Sequence, residues 1–161
     1  MAKVSILMGS QSDWDVMANA AKQLKEFGVE YEARVISAHR APDLLVSYIK
    51  EAESRGVECF IAGAGAAAHL AGVVASKTTL PVLGVPMPSK YLQGMDSLLS
   101  TVQMPKGIPV ATFAIGEAGA ANAGLFAVSM FAAKDEKLAD ALKAFRKSQA
   151  DAIAATVLPA V

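Results

Sequence analysis

Two histidines, His39 and His69, are the side chains of this sequence that ordinarily titrate near neutral pH. His39 lies in the segment 37–42, directly after the apolar-rich run 30–36, and His69 lies in a glycine-containing segment that follows the apolar run 57–62. In an open parallel sheet, ligands bind in the crevice beyond the carboxyl ends of the strands. We therefore expect both histidines at one site, where an imidazole is suited to general acid–base chemistry.

Each histidine also has a plainer interpretation. His39 could be a hydrogen-bonded structural residue, and His69, at a predicted helix start, could bond only to the backbone. The sequence around His39 shows no catalytic-triad pattern, and two histidines with one cysteine, Cys59, make a poor zinc ligand set. We predict no metal.

A serine-rich segment joins the first predicted strand to the first predicted helix, with the sequence Gly9-Ser10-Gln11-Ser12-Asp13. A helix start presents unpaired backbone N–H groups that suit a phosphate, and Ser10 and Ser12 add hydroxyl donors. Asp13 would instead accept hydrogen bonds from ribose hydroxyls. The alternative is an ordinary capping segment. The segment has neither the Gly-x-Gly-x-x-Gly nor the P-loop lysine pattern, which disfavours a dinucleotide or ATP.

Arg40 follows His39 directly and carries a guanidinium fork that suits bidentate contact with phosphate. A surface salt bridge is its alternative role. The serine segment and Arg40 come from neighbouring strand ends, and the combination favours a monophosphate. Gly63 and Gly65 would let the backbone approach a flat ligand closely, or would serve only tight strand-to-helix packing.

The elements that must position these residues alternate along the chain. Apolar runs predict strands over 3–8, 30–36, 57–62, 81–85 and 108–113, the last two covered on both faces. Helical periodicity predicts helices over 12–27, from Pro42 (buried stripe including Leu44), and over 67–77, 118–132 and 135–157. Residues 86–106 read as a loop around a short helix and are a candidate lid. The alternation predicts a three-layer, doubly wound parallel α/β sheet with a long C-terminal helix, in a single domain over residues 1–161.

Composition narrows the possible partners. The formal net charge is +0, with 15 basic and 15 acidic residues, so nothing favours nucleic acid or a membrane surface. The uncharged run 59–76 approaches membrane-span length, but its glycines and histidine divide it into a strand, a loop and a short helix. A single cysteine and no signal peptide favour a reducing, cytoplasmic setting. The alanine-rich helix 118–132 leaves little polar face, so we expect it to be covered on all sides, with a second subunit as the cover.

Several motifs together closely resemble one family, the class I N5-carboxyaminoimidazole ribonucleotide mutases of purine biosynthesis. The resemblance covers nearly the whole chain. It is carried by Met8-Gly9-Ser10-x-Ser12-Asp13-Trp14, Ser37-Ala38-His39-Arg40-x-Pro42, Gly63-Ala64-Gly65 with Ala67-Ala68-His69-Leu70, Pro81-Val82-Leu83-Gly84-Val85-Pro86, Asp96-Ser97-Leu98-Leu99-Ser100 with Gln103-Met104-Pro105, and Ala114-Ile115-Gly116 with Ala118-Gly119-Ala120-x-Asn122-Ala123.

The resemblance implies a rearrangement without cofactors, in which a carboxylate moves from the exocyclic nitrogen of an aminoimidazole ribonucleotide to its ring carbon. CO2 would be an enclosed intermediate and His39 the proton shuttle. It further implies that phosphate is held by Ser10, Ser12, Ser37 and Arg40, and ribose by Asp13. Gly65, His69 and Leu70 would line the base and CO2 subsite. The family forms homo-octamers.

Two positions depart from the family pattern, because Ala66 and Ala71 stand where glycine and proline are expected. Alanine at 66 would narrow the loop slightly. Two alternative functions stay open: a CO2-dependent aminoimidazole ribonucleotide carboxylase, and a non-catalytic nucleotide-binding module on a flavodoxin-like fold. The carboxylase class typically carries lysine after the histidine and lacks the Ala-Ala-His-Leu segment, so Arg40 and His69 favour the mutase.

Overall fold

A computed structural model describes residues 3–160 and confirms the predicted α/β class. In this described part of the chain, five parallel strands form one sheet in the order β2-β1-β3-β4-β5. They are β1 (Val4–Met8), β2 (Tyr31–Val35), β3 (Cys59–Ala64), β4 (Val82–Pro86) and β5 (Ala111–Thr112). This is the flavodoxin-like strand order, in which the crossover direction reverses between β1 and β3.

Within residues 3–160, six helices connect and extend the strands, and a short 3-10 turn at Gln11–Asp13 precedes the first. The helices are α1 (Trp14–Glu26), α2 (Pro42–Ser54), α3 (Leu70–Ala75), α4 (Met95–Val102), α5 (Glu117–Ala132) and α6 (Glu136–Ala154). The predicted long C-terminal helix is therefore confirmed, and so is the short helix inside 86–106.

The core is divided between the two faces of the sheet, because successive residues of a strand point to opposite faces. Ile6 and Ile61 pack with α1 and α5 on one face. Leu7 and Phe60 pack with α2 and α3 on the other. The molecule thus has the three layers that the alternating sequence pattern predicted.

Three local predictions are wrong. The fifth strand shrinks from 108–113 to Ala111–Thr112, with Ala111 exposed, because it is the sheet edge and Pro109 has no N–H to donate to a ladder. The helix predicted from 67 begins only at Leu70, after a turn in which Ala66 has a φ of 55°. Leu44, expected in the buried stripe of α2, is 50% exposed.

The alanine-rich helix α5 packs tightly against α1 on one face and also contacts α6, β3 and β4. A Cβ at Gly124 would lie 2.7 Å from the carbonyl oxygen of Ala20, so no side chain fits between the two helices. Phe126 on the other face is 45% exposed. The prediction that α5 is covered on all sides is therefore not met within one chain, and the small residues serve a close helix approach.

The edge strand β2 is tied to the sheet by a hydrogen-bond network around Tyr48 of α2. The Tyr48 hydroxyl lies 2.6 Å from both Ser5 Oγ and Glu32 Oε1, and Arg55 Nη2 donates to the same carboxylate oxygen at 2.7 Å. Burial, followed by the hydrogen bond to Glu32, raises the pKa of Tyr48 to about 12. The network links α2 to β1 and β2.

Cys59 is fully buried in β3, as predicted, and burial raises the pKa of its thiol to about 12. Among residues 3–160, no helix is long and apolar enough to cross a membrane.

Candidate active site

A cleft of about 620 Å³ opens at the carboxyl ends of β1, β2, β3 and β4. Its position at the β1–β3 reversal is where an open α/β sheet leaves a crevice for ligands. Seven of the residues singled out in the sequence line it: Ser10, Asp13, Ser37, His39, Arg40, Gly65 and Leu70. Ser12 and His69 do not line the cleft themselves. Ser12 is hydrogen-bonded to Ser10, and His69 to His39, both of which do line it.

The two histidines meet at the edge of this cleft. His39 Nε2 lies 2.9 Å from His69 Nδ1, and the rings stand nearly perpendicular, at 89°, with centroids 5.0 Å apart. In such a contact one ring nitrogen donates its proton and the other accepts it, so the tautomer of one imidazole determines that of the other. The pair is solvent-accessible and is therefore able to exchange a proton with a ligand in the cleft.

The serine segment after β1 forms a cap that also leaves donors for a ligand. Ser10 Oγ accepts hydrogen bonds from Ser12 N at 3.3 Å and from Ser12 Oγ at 2.9 Å, which leaves the Ser10 hydroxyl proton available. Asp13 Oδ2 accepts from Ser10 N at 3.1 Å. Desolvation raises the pKa of Asp13, against the opposing effect of backbone hydrogen bonds from Ser10 and Gly9. The capping interpretation is thus confirmed locally, and it does not exclude binding.

Arg40 links the ends of two strands. Its Nη2 donates to the carbonyl oxygen of Gly9 at 2.9 Å, and its Nε donates to Ser37 Oγ at 3.3 Å. Those two bonds use two of the five guanidinium N–H groups. Because no carboxylate pairs with Arg40 among the described residues, its remaining donors are free for an anion in the cleft.

The loop from Gly65 to His69 lines the cleft through Gly65, Ala66 and Ala67. It follows β3 and ends at α3, whose first residue, Leu70, is only 2% exposed. Gly65 is packed too closely for a side chain to fit easily, because a Cβ there would lie 3.2 Å from Met87 Cβ. The glycine therefore serves close packing here, while the loop surface faces the cleft.

The segment between β4 and α4 and the first turn of α4 supply cleft residues that the sequence did not identify as site residues. Ser89, Lys90, Tyr91 and Asp96 line the cleft, and Tyr91 is 85% exposed. Ser89 Oγ donates to Asp96 Oδ1 at 2.5 Å, and this bond lowers the pKa of Asp96. Asp96 belonged to a motif of the resemblance, which was the available signal. The lid role of this segment stays a prediction.

The described residues contain no group of three or more His, Cys, Asp or Glu side chains placed to hold a metal ion. Hydroxyl, guanidinium, imidazole and carboxylate groups instead surround the cleft. Such a set can bind a phosphorylated polar ligand and move protons on it. Fold and site together define a flavodoxin-like α/β protein with a nucleotide-sized cleft at its switch point.

Comparisons with known proteins place the chain within that class. The AIR carboxylase family profile matches residues 3–152. The N5-carboxyaminoimidazole ribonucleotide mutase of Saccharolobus solfataricus is 56% identical over 160 residues, covering 99% of this chain and 100% of that protein. The mutase of Bacillus subtilis is 57% identical over 145 residues, covering 90% of each chain. The crystal structure of Treponema denticola PurE superimposes with a TM-score of 0.85 at 35% identity, covering 93% of this chain and 92% of that one.

The chain therefore belongs to the AIR carboxylase family. The resemblance stated from the motifs is confirmed, and so is the fold class.

Proposed function

We propose that this protein is an N5-carboxyaminoimidazole ribonucleotide mutase of purine biosynthesis. The observation that carries the proposal is the contact of 2.9 Å between His39 Nε2 and His69 Nδ1 at the edge of the cleft. The two relatives described above, at 56% and 57% identity, bear the mutase name, and each match covers at least 90% of both chains. Arg40 and His69, the two residues that distinguish mutase from carboxylase by resemblance, both lie at this site.

The proposed reaction is an isomerisation with no net change in atoms or protons. The bond between the exocyclic nitrogen and the carboxyl carbon breaks, and CO2 is released inside the cleft. The nitrogen takes a proton from His39. The ring carbon then attacks CO2, a C–C bond forms, and His39 recovers a proton from that ring carbon. The cycle therefore needs no ATP, biotin or metal.

Retention of CO2 makes the recapture efficient. A carboxylate loses its hydration when the cleft closes over the ligand, which favours release of neutral CO2. Holding CO2 beside the ring carbon turns recapture into an effectively intramolecular step. Gly65, His69 and Leu70 are proposed to line this base and CO2 subsite, with His69 as the hydrogen-bond partner of the moving carboxyl group. The segment over the cleft, with Tyr91, is the proposed lid.

The ribonucleotide's phosphate is proposed to bind among Ser10, Ser12, Ser37 and Arg40, and its ribose at Asp13. The free Ser10 proton and the three unused N–H groups of Arg40 support this assignment. Ser10 N donates to Asp13 Oδ2, and we propose that Asp13 Oδ1 accepts a hydrogen bond from a ribose hydroxyl.

The deciding experiment offers the purified protein two substrates without ATP. A mutase converts the N-carboxylated ribonucleotide efficiently and uses aminoimidazole ribonucleotide only at high bicarbonate. The opposite preference would identify a carboxylase. If neither substrate gave a product, the non-catalytic nucleotide-binding module would be the function that remains. His39→Asn should bind ligand and abolish turnover, since asparagine keeps a polar side chain and loses the proton carrier. Near-normal activity in that variant would overturn the mechanism.

We further propose that the protein is a cytoplasmic homo-octamer that binds neither nucleic acid nor membrane. Exposed apolar side chains on several elements support assembly, among them Phe126, Leu44 and Leu99. Light scattering at micromolar concentration tests it. A mass near that of the 16.7 kDa monomer would contradict the octamer.

A further inference from the structure

One face of α4 carries three hydroxyl side chains, Ser97, Ser100 and Thr101. Their spacing of three and four residues puts them on the same side of a helix. Ser97 is 0% exposed and Thr101 is 2% exposed. Burying a hydroxyl is unfavourable unless it is hydrogen-bonded, so the partners of this face show what it holds.

Besides carbonyl oxygens of α4 itself, those partners are backbone groups of the loop between β3 and α3. Ser97 Oγ accepts a hydrogen bond from Ala66 N at 2.9 Å, and Ser100 Oγ accepts one from Ala68 N at 3.0 Å. Ser100 Oγ also lies 3.1 Å from the carbonyl oxygen of Ala66. Two hydroxyls of one helix therefore hold two alternate amides of the loop, across more than thirty residues of sequence.

The loop needs such support because of the residue at its turn. Ala66 has a φ of 55°, in the left-handed region where the Cβ of an L-residue crowds the backbone. Glycine adopts this conformation without penalty, whereas alanine adopts it only when its surroundings compensate. The bond from Ala66 N to Ser97 Oγ is available only while the loop keeps this turn.

The path of the loop also determines where His69 lies. His69 N donates to the carbonyl oxygen of Ala67 at 2.9 Å, so the turn leads directly into the histidine backbone. The His69 ring then contacts His39 at 2.9 Å. Movement of the turn would therefore change the contact between the two imidazoles.

We infer that Ser97 and Ser100 are positioning residues, which hold the strained turn at Ala66 and thereby fix His69 against His39. The consequence for turnover rests on the proposed mutase function, whereas the consequence for the histidine contact does not. Neither serine is among the residues that line the cleft. Their effect is expected on turnover more than on substrate affinity, because the proposed phosphate and ribose contacts come from β1 and β2.

The first test measures the histidine contact without any activity. The protein has 2 histidines, so deuterated protein with 13Cε1-labelled histidine gives two resonances. His39→Asn supplies the reference shift of the His69 resonance on losing its partner. Ser97→Ala should reproduce at least half of that shift. Ser5→Ala is the matched control, because Ser5 is also 0% exposed and hydrogen-bonded, 2.6 Å from the Tyr48 hydroxyl, away from the loop.

The second test is a double-mutant cycle on kcat. Ser97→Ala should lower kcat about tenfold, as expected for loss of one buried hydrogen bond, with KM changed less than about twofold. Adding Ala66→Gly to the Ser97→Ala variant should raise kcat at least about threefold, because glycine needs no support in this turn. The same substitution in the parent protein, which keeps Ser97, should raise kcat much less. Independent, additive effects of the two substitutions would overturn the inference.

Ser100→Ala keeps the inference testable if Ser97→Ala does not fold, since Ser100 is only partly buried. It should shift the His69 resonance in the same direction and lower kcat about threefold. A His69 resonance that moves no further in either serine variant than in Ser5→Ala would overturn the positioning role. If the protein showed no mutase turnover but the resonance moved, the proposed function would fail and the positioning role would stand.

Discussion

Removing the Arg40 guanidinium tests whether it binds the phosphate of the ligand or only joins two strand ends. Its bonds to Gly9 and Ser37 leave three N–H groups, enough for a bidentate contact with a phosphate. Hydrogen bonds to charged groups contribute roughly 1.5–3 kcal/mol each, and the exposure of Arg40 places two such bonds near the lower limit. We expect Arg40→Ala to weaken binding by about 2.8 kcal/mol, which is about a 100-fold rise in Kd.

Arg40→Lys separates charge from geometry. Lysine keeps the positive charge but lacks the planar guanidinium fork. It cannot donate hydrogen bonds to Gly9 and Ser37 and also to two phosphate oxygens. We expect about a tenfold rise in Kd for this variant.

Titration calorimetry with aminoimidazole ribonucleotide and with the corresponding nucleoside is the assay. Because the nucleoside has no phosphate, its affinity should change less than about twofold in both Arg40 variants. Arg55→Ala is the control, since Arg55 pairs with Glu32 outside the cleft and should affect neither ligand. Equal losses for ribonucleotide and nucleoside would refute phosphate binding and leave Arg40 as a structural link between strands.

Three further outcomes follow from the pKa shifts. Burial, with the bond to Glu32, raises the pKa of Tyr48 to about 12, so the folded protein keeps a proton that the unfolded chain loses above about pH 10. The free energy of unfolding should therefore fall by up to about 3 kcal/mol between pH 10 and 12, and urea unfolding of Tyr48→Phe should show a flatter pH dependence there. Burial raises the pKa of the Cys59 thiol to about 12, so the thiol should resist iodoacetamide at pH 8 and react within minutes only in denaturant. Rapid labelling of the native protein would show that β3 opens. Desolvation raises the pKa of Asp13, so its ionised form opposes folding at neutral pH. The Asp13→Asn variant should therefore have a Tm at pH 7 no lower than that of the parent protein, together with a higher KM. A lower Tm with an unchanged KM would mean that the carboxylate serves only as a helix cap.

The sequence predicts the strand alternation and the meeting of His39 with His69, since both follow from general rules. Period and strand length identify the elements, and parallel strands place their carboxyl ends at one edge. The shortened β5 was predictable only by giving more weight to Pro109 than to the apolar residues around it.

Contacts between segments that are distant along the chain could not be predicted from the sequence. Serines at 97 and 100 look like ordinary helix residues, and only the fold shows that they bond to the backbone at Ala66 and Ala68. Likewise, nothing in the composition of 86–106 shows that Ser89 and Asp96 bond to each other beside the cleft. Such pairings depend on where loops return, which local propensity does not determine.

The close packing of α5 on α1 has a consequence for how the chain folds. The first helix is covered by a helix that begins about a hundred residues later, at Glu117, and Gly124 must be in place before the two backbones can touch. Contacts between distant segments slow folding, because the entropy of closing the chain must be overcome before the contact stabilises anything. During synthesis, Met17 and Leu24 therefore remain without their cover until most of the chain has been made, and in that interval the nascent protein is most open to aggregation.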